Sequence, residues 1–111
     1  MGERDLVAMH RGEVWWARLP APAGRRPVVL VSRDRAIQVR DVVTVIRVTR
    51  RMRGIPTEVL LTAGDGLPQT CVANADVIDT FPKSVFEGRI CALPSSRMRA
   101  IDRAIVFALG L

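Results

Sequence analysis

The chain has 111 residues, enough for one domain with one hydrophobic core but not for two full domains. A hydrophobic share of 49% and the lack of polar low-complexity tracts predict a folded globular protein, not a disordered one. No apolar run approaches the roughly 18 residues that span a bilayer, and no secretion signal opens the chain, so we expect a cytoplasmic protein. We interpret residues 1–9 as an irregular leader and residues 10–111 as a single domain.

The charge balance is strongly basic. Lysine and arginine total 17 against 11 acidic residues, which gives a net charge of +6 at pH 7, and all the basic residues except Lys83 are arginine. Arginine presents a planar fork of donors that binds phosphate bidentately and stacks on bases. This composition is typical of a protein that meets a polyanion, although a genome that favours arginine codons would produce the same bias.

The first predicted elements are two strands joined by a loop. Residues 12–19 favour a strand because they are rich in side chains that suit a pleated, half-buried surface. The proline-rich residues 20–24 predict a loop. The continuous apolar run at residues 27–31 predicts a buried central strand, and Arg25 and Arg26 stand at its start.

Three further strands are predicted in the middle of the chain. Residues 41–49 are β-branched almost throughout, which favours a strand, and a basic turn follows at residues 50–54. The remaining two strands are expected at residues 58–62 and 70–73, with a glycine-containing turn at residues 64–68 between them.

The last segment changes its period. Apolar residues recur there at three- and four-residue steps, which predicts an amphipathic helix: Met98, Ile101, Ile105, Ala108 and Leu109. Ser95 or Ser96 is the expected N-cap, and Gly110 the expected stop. Short strands followed by one packing helix predict a compact antiparallel α+β domain in the form of a small, partly closed barrel.

Several classes of catalytic site are excluded by the residue inventory. His10 is the only histidine, so no Ser-His-Asp, Cys-His or paired-histidine arrangement can be assembled. Cys71 and Cys91 stand in no zinc-ligand spacing, and we interpret them as ordinary half-buried thiols. The carboxylates are scattered without metal-ligand spacing, so neither a metal nor a cofactor is expected.

What remains is a group of arginine and hydroxyl side chains at the ends of two predicted strands, here called the basic rim: Arg25, Arg26, Thr49, Arg50, Arg51 and Arg53. If the two strands are neighbours, these side chains lie together. Such a rim can bind a phosphodiester and stabilise the charge that builds on its oxygens during in-line displacement. The alternative is a solvated charged edge that discourages aggregation.

Five sequence blocks stand in an order that resembles the MazF/PemK-type toxins. They are RGEVW at residues 11–15, RPVVLVS at 26–32, VTR at 48–50 followed by RGIPTEV at 53–59, DVIDT at 76–80, and the terminal ALGL at 108–111. Together they cover nearly the whole chain from His10 onward.

The resemblance implies a small SH3-like antiparallel β-barrel of the CcdB/PemK type with a C-terminal helix. It also implies a homodimeric mRNA interferase that cuts single-stranded RNA at a short sequence and is neutralised by a MazE-like antitoxin. The family's catalytic arginine falls on Arg26 and its catalytic threonine on Thr49. The implied reaction is metal-independent attack by the ribose 2′-hydroxyl, which leaves a 2′,3′-cyclic phosphate and a 5′-hydroxyl and spares DNA.

In this interpretation Arg26 holds the non-bridging oxygens and assists proton transfer to the leaving oxygen, while Thr49 hydrogen-bonds the same phosphate. Arginine is no general base, since its pKa exceeds about 12. Glu13, in the first block, is a candidate for that base or for RNA contact. Further candidate RNA contacts are Arg25, Ser32, Arg50, Arg53 and Asp76.

Two other functions stay open at this point. A CcdB-like toxin with the same barrel would bind DNA gyrase and hydrolyse nothing, and fold alone does not separate the two. A non-catalytic basic module for RNA would need the charge but not Thr49. The combination of Arg26 with Thr49 favours the nuclease. Trp15 and Trp16 should point to opposite faces of their strand, one into the core and one outward.

Overall fold

The computed structural model describes residues 9–111, in which six strands form one curled sheet. The strands are β1 Glu13–Leu19, β2 Gly24–Leu30, β3 Val42–Thr49, β4 Glu58–Leu61, β5 Cys71–Pro82 and β6 Phe86–Ala92. The helices are α1 Asp34–Val39 and α2 Ser95–Leu109, with short 3₁₀ turns at Ala63–Asp65 and Lys83–Val85. The strand order is β4-β5-β3-β2-β1-β6, and each neighbouring pair is antiparallel.

Both faces of the central strands are buried. On one face Val14, Val29 and Ile46 pack with residues of α2. On the other face Trp15 and Val28 belong to a second cluster. Successive side chains of a strand point to opposite faces, so a strand covered on both sides must be apolar at every position. This explains the uninterrupted apolar runs in the sequence.

The predicted α+β architecture, an antiparallel curled sheet in the form of a half-barrel followed by one terminal helix, is confirmed. Gly110 ends α2 in the left-handed conformation, at φ 69°, as predicted. The predicted N-cap is wrong: α2 begins at Ser95, Pro94 holds the cap position, and no side chain caps the helix. Proline suits this position because its fixed φ, here −66°, leads the chain into the helix.

Two elements were not predicted, and one strand is longer than expected. Helix α1 has only six residues, too few to show a helical period. Strand β6 contains Gly88 and charged side chains, and its pairing with β1 shifts register twice. Strand β5 extends to Pro82 through polar residues because β3 pairs with its backbone as far as Pro82, whereas β4 pairs only with its first four residues. Backbone pairing, rather than side-chain pattern, therefore defines these strands.

The predicted leader lies outside the described residues, except for Met9. That side chain is 1% exposed and belongs to the same cluster as Trp15. The packed part of the chain thus already includes the last residue of the predicted leader. Within residues 9–111, neither helix is long and apolar enough to cross a membrane.

One carboxylate ties the β4–β5 connection to α2. Asp65, with a side chain only 8% exposed, accepts hydrogen bonds from the Thr62 backbone N–H at 2.9 Å and from Arg97 Nε at 2.9 Å. Burial alone would raise the pKa of Asp65. The hydrogen bonds from Thr62 and the charge of Arg97 outweigh it, so the net effect lowers the pKa below its ordinary value of 3.8.

This shift predicts a pH dependence of stability. A carboxyl whose pKa is lower in the folded state adds stability above its unfolded pKa and loses it as the pH falls through the folded value. The unfolding free energy should therefore drop below about pH 4, and Asp65→Asn should flatten that drop while lowering stability at neutral pH. Urea denaturation measured across this range checks the effect. If plots of unfolding free energy against pH run parallel for the wild type and Asp65→Asn, the prediction is wrong.

Candidate active site

The two strands that carry the basic rim are neighbours. Strands β2 and β3 pair antiparallel, with Val28 opposite Arg47 and Leu30 opposite Val45. When this register is continued by two residues toward the strand ends, Arg26 comes opposite Thr49. The two strands are therefore neighbours, as the predicted basic rim requires.

Two clefts meet at this strand end, and both are lined by Arg26, Val48 and Thr49. The first, here called the Trp16 cleft, has a volume of about 430 Å³ and lies on the side of Arg25 and Trp16. The second, here called the Arg47 cleft, has a volume of about 620 Å³ and is bordered by the β1–β2 loop. Because successive strand residues face opposite ways, the two clefts open on opposite faces of the sheet, and they join at the ends of the central strands β2 and β3.

Within residues 9–111, the candidate catalytic pair keeps donors available for a ligand. Arg26 is exposed, and its Nε donates to the carbonyl oxygen of Ala23 at 2.9 Å, which orients the guanidinium. Its four terminal N–H groups lie beyond this contact. The Thr49 hydroxyl oxygen accepts from the Arg51 backbone N–H at 3.2 Å, so its own proton can still be donated. The pair can therefore direct N–H and O–H donors at one phosphodiester.

Arg25 is held in a defined position at the side of the Trp16 cleft. Its guanidinium carbon lies 4.1 Å from the centroid of the Trp16 ring. Its Nε donates to Glu87 Oε1 at 2.8 Å, while Arg18 Nε donates to the other carboxylate oxygen at 2.9 Å. The hydrogen bond from Arg25 lowers the pKa of Glu87 against a weaker effect of desolvation, and Arg18 lowers it further.

The remaining predicted rim contacts divide between the clefts. Arg50 lines the Trp16 cleft, and its Nη1 donates to Gln69 Oε1 at 2.7 Å. Arg53 lines the Arg47 cleft, and its backbone N–H donates to the Glu58 carboxylate at 2.9 Å. The structure thus brings four of the predicted arginines and Thr49 around one strand end.

Glu13, by contrast, lies away from the rim. Its side chain is buried, accepts hydrogen bonds from Trp15 Nε1 and the His10 backbone N–H at 2.9 Å each, and pairs with Arg89 at 3.1 Å. In β1 it is Ala17 that pairs with Arg26, which leaves Glu13 four residues, about 13 Å, along the strand. These contacts give Glu13 an internal role in joining β1 to β6.

Ser32 and Asp76 are also engaged elsewhere. Ser32 lies beyond the opposite end of β2, and its Oγ accepts from the Thr44 backbone N–H at 2.7 Å. Asp76 is exposed on β5 and accepts from the Thr57 hydroxyl at 2.7 Å. In the described part of the chain, neither residue lines one of the two clefts at the rim.

Sequence reasoning missed several cleft residues that only pairing reveals. Trp16 is the partly exposed member of the tryptophan pair, while Trp15 is buried. Arg47 lies inside an apolar strand and pairs with Asp79 at 3.2 Å in the Arg47 cleft. A charged residue within a β-branched run was the available signal, since a buried strand tolerates one only near an edge or a cleft.

The described residues bring no three His, Cys, Asp or Glu side chains together as a metal site. Cys71 and Cys91 are free thiols. Burial raises the pKa of Cys71, to which Cys91 and Asp65 add, and burial also raises the pKa of Cys91. Both thiols therefore favour the neutral form, as expected of ordinary packed cysteines.

Fold and site together define a small α+β protein that presents an arginine-rich rim at the end of two central strands. The sequence model of the "PemK-like, MazF-like toxin of type II toxin-antitoxin system" family matches residues 10–109. The chain is 40% identical over 100 residues to the probable endoribonuclease MazF5 of Mycobacterium tuberculosis strain ATCC 25618 / H37Rv, covering 89% of this chain and 91% of that protein. It is also 40% identical over 103 residues to the probable endoribonuclease MazF2 of the same strain, covering 92% and 99%.

A solved structure described as an endoribonuclease in complex with its cognate antitoxin, from a mycobacterial species, superposes with a TM-score of 0.84 at 31% identity. The superposition covers 94% of this chain and 97% of the chain in the solved structure. The chain belongs to the PemK/MazF family of type II toxins.

Proposed function

We propose that this protein is a sequence-specific endoribonuclease toxin, an mRNA interferase that cleaves single-stranded RNA, and that residues 10–111 form its toxin domain. Membership of the family and the endoribonuclease names of its relatives support this function. The observation that carries it is the meeting of two clefts at Arg26 and Thr49. A single-stranded RNA passing from one cleft to the other would place one phosphodiester at Arg26 and Thr49, with room for bases on both sides.

The reaction is attack of the ribose 2′-oxygen on the adjacent phosphorus. The bond to the 5′-oxygen breaks, and the products are a 2′,3′-cyclic phosphate and a 5′-hydroxyl. Arg26 stabilises the charge on the non-bridging oxygens and assists proton transfer to the leaving oxygen, while Thr49 donates to the same phosphate. The 2′-hydroxyl proton goes to a base outside this pair, since arginine has a pKa above about 12 and Glu13 is buried in its own network. DNA lacks the nucleophile and stays intact.

We propose that the reaction needs no metal ion. The support is the donor set at the rim, where guanidinium groups bring to the phosphate the positive charge that a metal would supply in other nucleases. The same positive surface disfavours the approach of a divalent cation.

We propose a MazE-like antitoxin and a second copy of the chain as partners in the cytoplasm. One superposed relative was solved with its cognate antitoxin, and the basic rim suits an acidic segment of such a partner. Phe107 and Leu109 at the end of α2, and Leu111 just beyond it, are exposed, which suits burial in a homodimer. The CcdB-like alternative is not favoured, since the relatives are named endoribonucleases. A non-catalytic RNA-binding module would bind RNA without cutting it.

The proposed function predicts cleavage of long single-stranded RNA in excess EDTA, with fragments that carry 5′-hydroxyl ends. Electrophoresis and direct 5′ phosphorylation of the fragments check both points, and DNA of the same sequence serves as the control. RNA that stays intact both with and without EDTA would overturn the nuclease function. Cleavage that stops on addition of EDTA would overturn metal independence, and cleavage of the DNA would overturn the role of the 2′-hydroxyl.

Thr49→Val removes the hydroxyl while keeping the side-chain shape. We expect the cleavage rate to fall about 10- to 100-fold, the loss of one hydrogen bond to a charged group. Thr44→Val is the matched control, since Thr44 stands on the same strand and its hydroxyl hydrogen-bonds Thr80 away from the rim. Equal rates for the two variants would remove Thr49 from the site.

A further inference from the structure

The wall of the Trp16 cleft contains a stacked pair of planar side chains. Arg18 pairs with Arg25 across β1 and β2, and Trp16 pairs with Pro27, so Trp16 and Arg25 are diagonal neighbours on one face. Diagonal neighbours are close enough for long side chains to touch. The guanidinium lies over the indole ring at 4.1 Å, and both side chains line the cleft.

The Arg25 guanidinium is also fixed from its edge. Glu87 accepts from its Nε at 2.8 Å and is itself held by Arg18. An edge contact of this kind sets the orientation of the plane without covering its faces, and the Arg25 side chain remains 48% exposed. The ring and the guanidinium therefore form a preorganised flat surface, ordered before any ligand arrives.

This flat surface lies beside the candidate catalytic pair, Arg26 and Thr49. Arg25 precedes Arg26 in β2, and Trp16 and Thr49 line the same cleft. We propose that the Trp16–Arg25 pair is the stacking platform for one nucleobase of the RNA, on a nucleotide flanking the scissile phosphate. The inference rests on the proposed function and deepens it. It assigns Arg25, so far a candidate RNA contact, to a base, since its Nε is occupied by Glu87 and its side chain remains 48% exposed.

Abasic substitution tests the platform. Cleavage sites are first mapped in a long RNA, and oligonucleotides spanning one site are then made with a 2′-deoxynucleotide at the cleaved position, which prevents the reaction. One flanking base at a time is removed, and the dissociation constant is measured. For the wild type, removal of the stacked base should weaken binding about tenfold, as for other bases stacked on aromatic side chains.

The variants separate stacking from charge. Trp16→Leu removes the ring, and Arg25→Lys keeps the charge but loses the planar group. In both variants the abasic penalty, which is the change in the dissociation constant on removal of that base, should be no more than about twofold. Trp16→Phe keeps an aromatic face and should retain most of the penalty. Arg103→Ala is the matched control, because it removes an exposed arginine of α2 that lines neither cleft of the described rim, and it should keep the full penalty.

The same abasic penalty in the wild type, Trp16→Leu and Arg25→Lys, or no penalty at any flanking nucleotide, would overturn the platform. If Trp16→Leu proves unfolded by circular dichroism, Arg25→Lys and Trp16→Phe decide the matter. RNA cleaved by the wild type without a Trp16-dependent penalty refutes the platform alone. A wild type that cuts no RNA refutes the proposed function, and the platform with it.

Discussion

Arg26→Ala should lower the rate of RNA cleavage by at least about 100-fold, the usual loss when a preorganised charge stabiliser is removed. Arg26 and Thr49 both line the point where the two clefts meet, and the terminal N–H groups of Arg26 lie beyond its Nε contact to Ala23. The phosphodiester already carries one negative charge and gains more on its oxygens as the reaction proceeds, so the loss should fall mainly on kcat. Single-turnover cleavage of a mapped oligonucleotide measures it.

Two controls sharpen this prediction. Arg26→Lys keeps a point charge without the planar fork and should fall between the wild type and Arg26→Ala. Arg103→Ala removes an exposed arginine of α2 that lines neither cleft of the described rim, and it should cleave at the wild-type rate. The exposed Arg26 makes few internal contacts, so its removal should change the unfolding free energy by less than about 0.5 kcal/mol. Full activity in Arg26→Ala would displace the catalytic site from this rim.

Ile101→Ala should destabilise the fold by about 2–5 kcal/mol. Ile101 is fully buried on α2 and packs in the cluster that contains Val14 and Leu61, so the smaller side chain leaves a cavity between helix and sheet. This is a large part of the roughly 5–15 kcal/mol by which domains are stable. Urea denaturation should show a lower midpoint with an unchanged slope.

Arg99→Ala on the exposed side of α2 is the control, with an expected change within about 0.5 kcal/mol. The cluster of Ile101 also contains Leu67 and Cys71, which line the Trp16 cleft. Loosening α2 should therefore weaken RNA binding at temperatures near the lowered melting temperature of the variant. RNA cleavage well below that temperature should persist. A change below about 1 kcal/mol for Ile101→Ala would mean that α2 contributes little to the core.

The strands that were predictable from the sequence are those whose composition is decided by burial. Residues 28–30 of β2 and Val45 and Ile46 of β3 are buried on both faces, and that environment leaves a direct compositional record. Helix α1 and strand β6 carry no such record. One is too short to show a period, and the other is held by backbone pairing at the sheet margin, which constrains side chains only weakly.

The candidate site divides in the same way. Arg26 and Thr49 could be named from the order of the sequence blocks, since each stands within a recognisable motif. Glu13 stands in a motif just as clearly, yet its carboxylate is buried against Trp15, His10 and Arg89. A motif records that a residue is needed and leaves open whether it is needed for chemistry or for packing.

By itself, the sequence determined the class of this protein, a basic α+β chain of the PemK/MazF toxin family. Only the tertiary structure decided that Arg26 and Thr49 line the same two clefts, that the clefts join there, and that Trp16 rather than Trp15 lines one of them. The physical reason is that these relations arise from strand register and sheet curvature. Both are set by pairing between segments far apart in the chain, and local composition does not encode them.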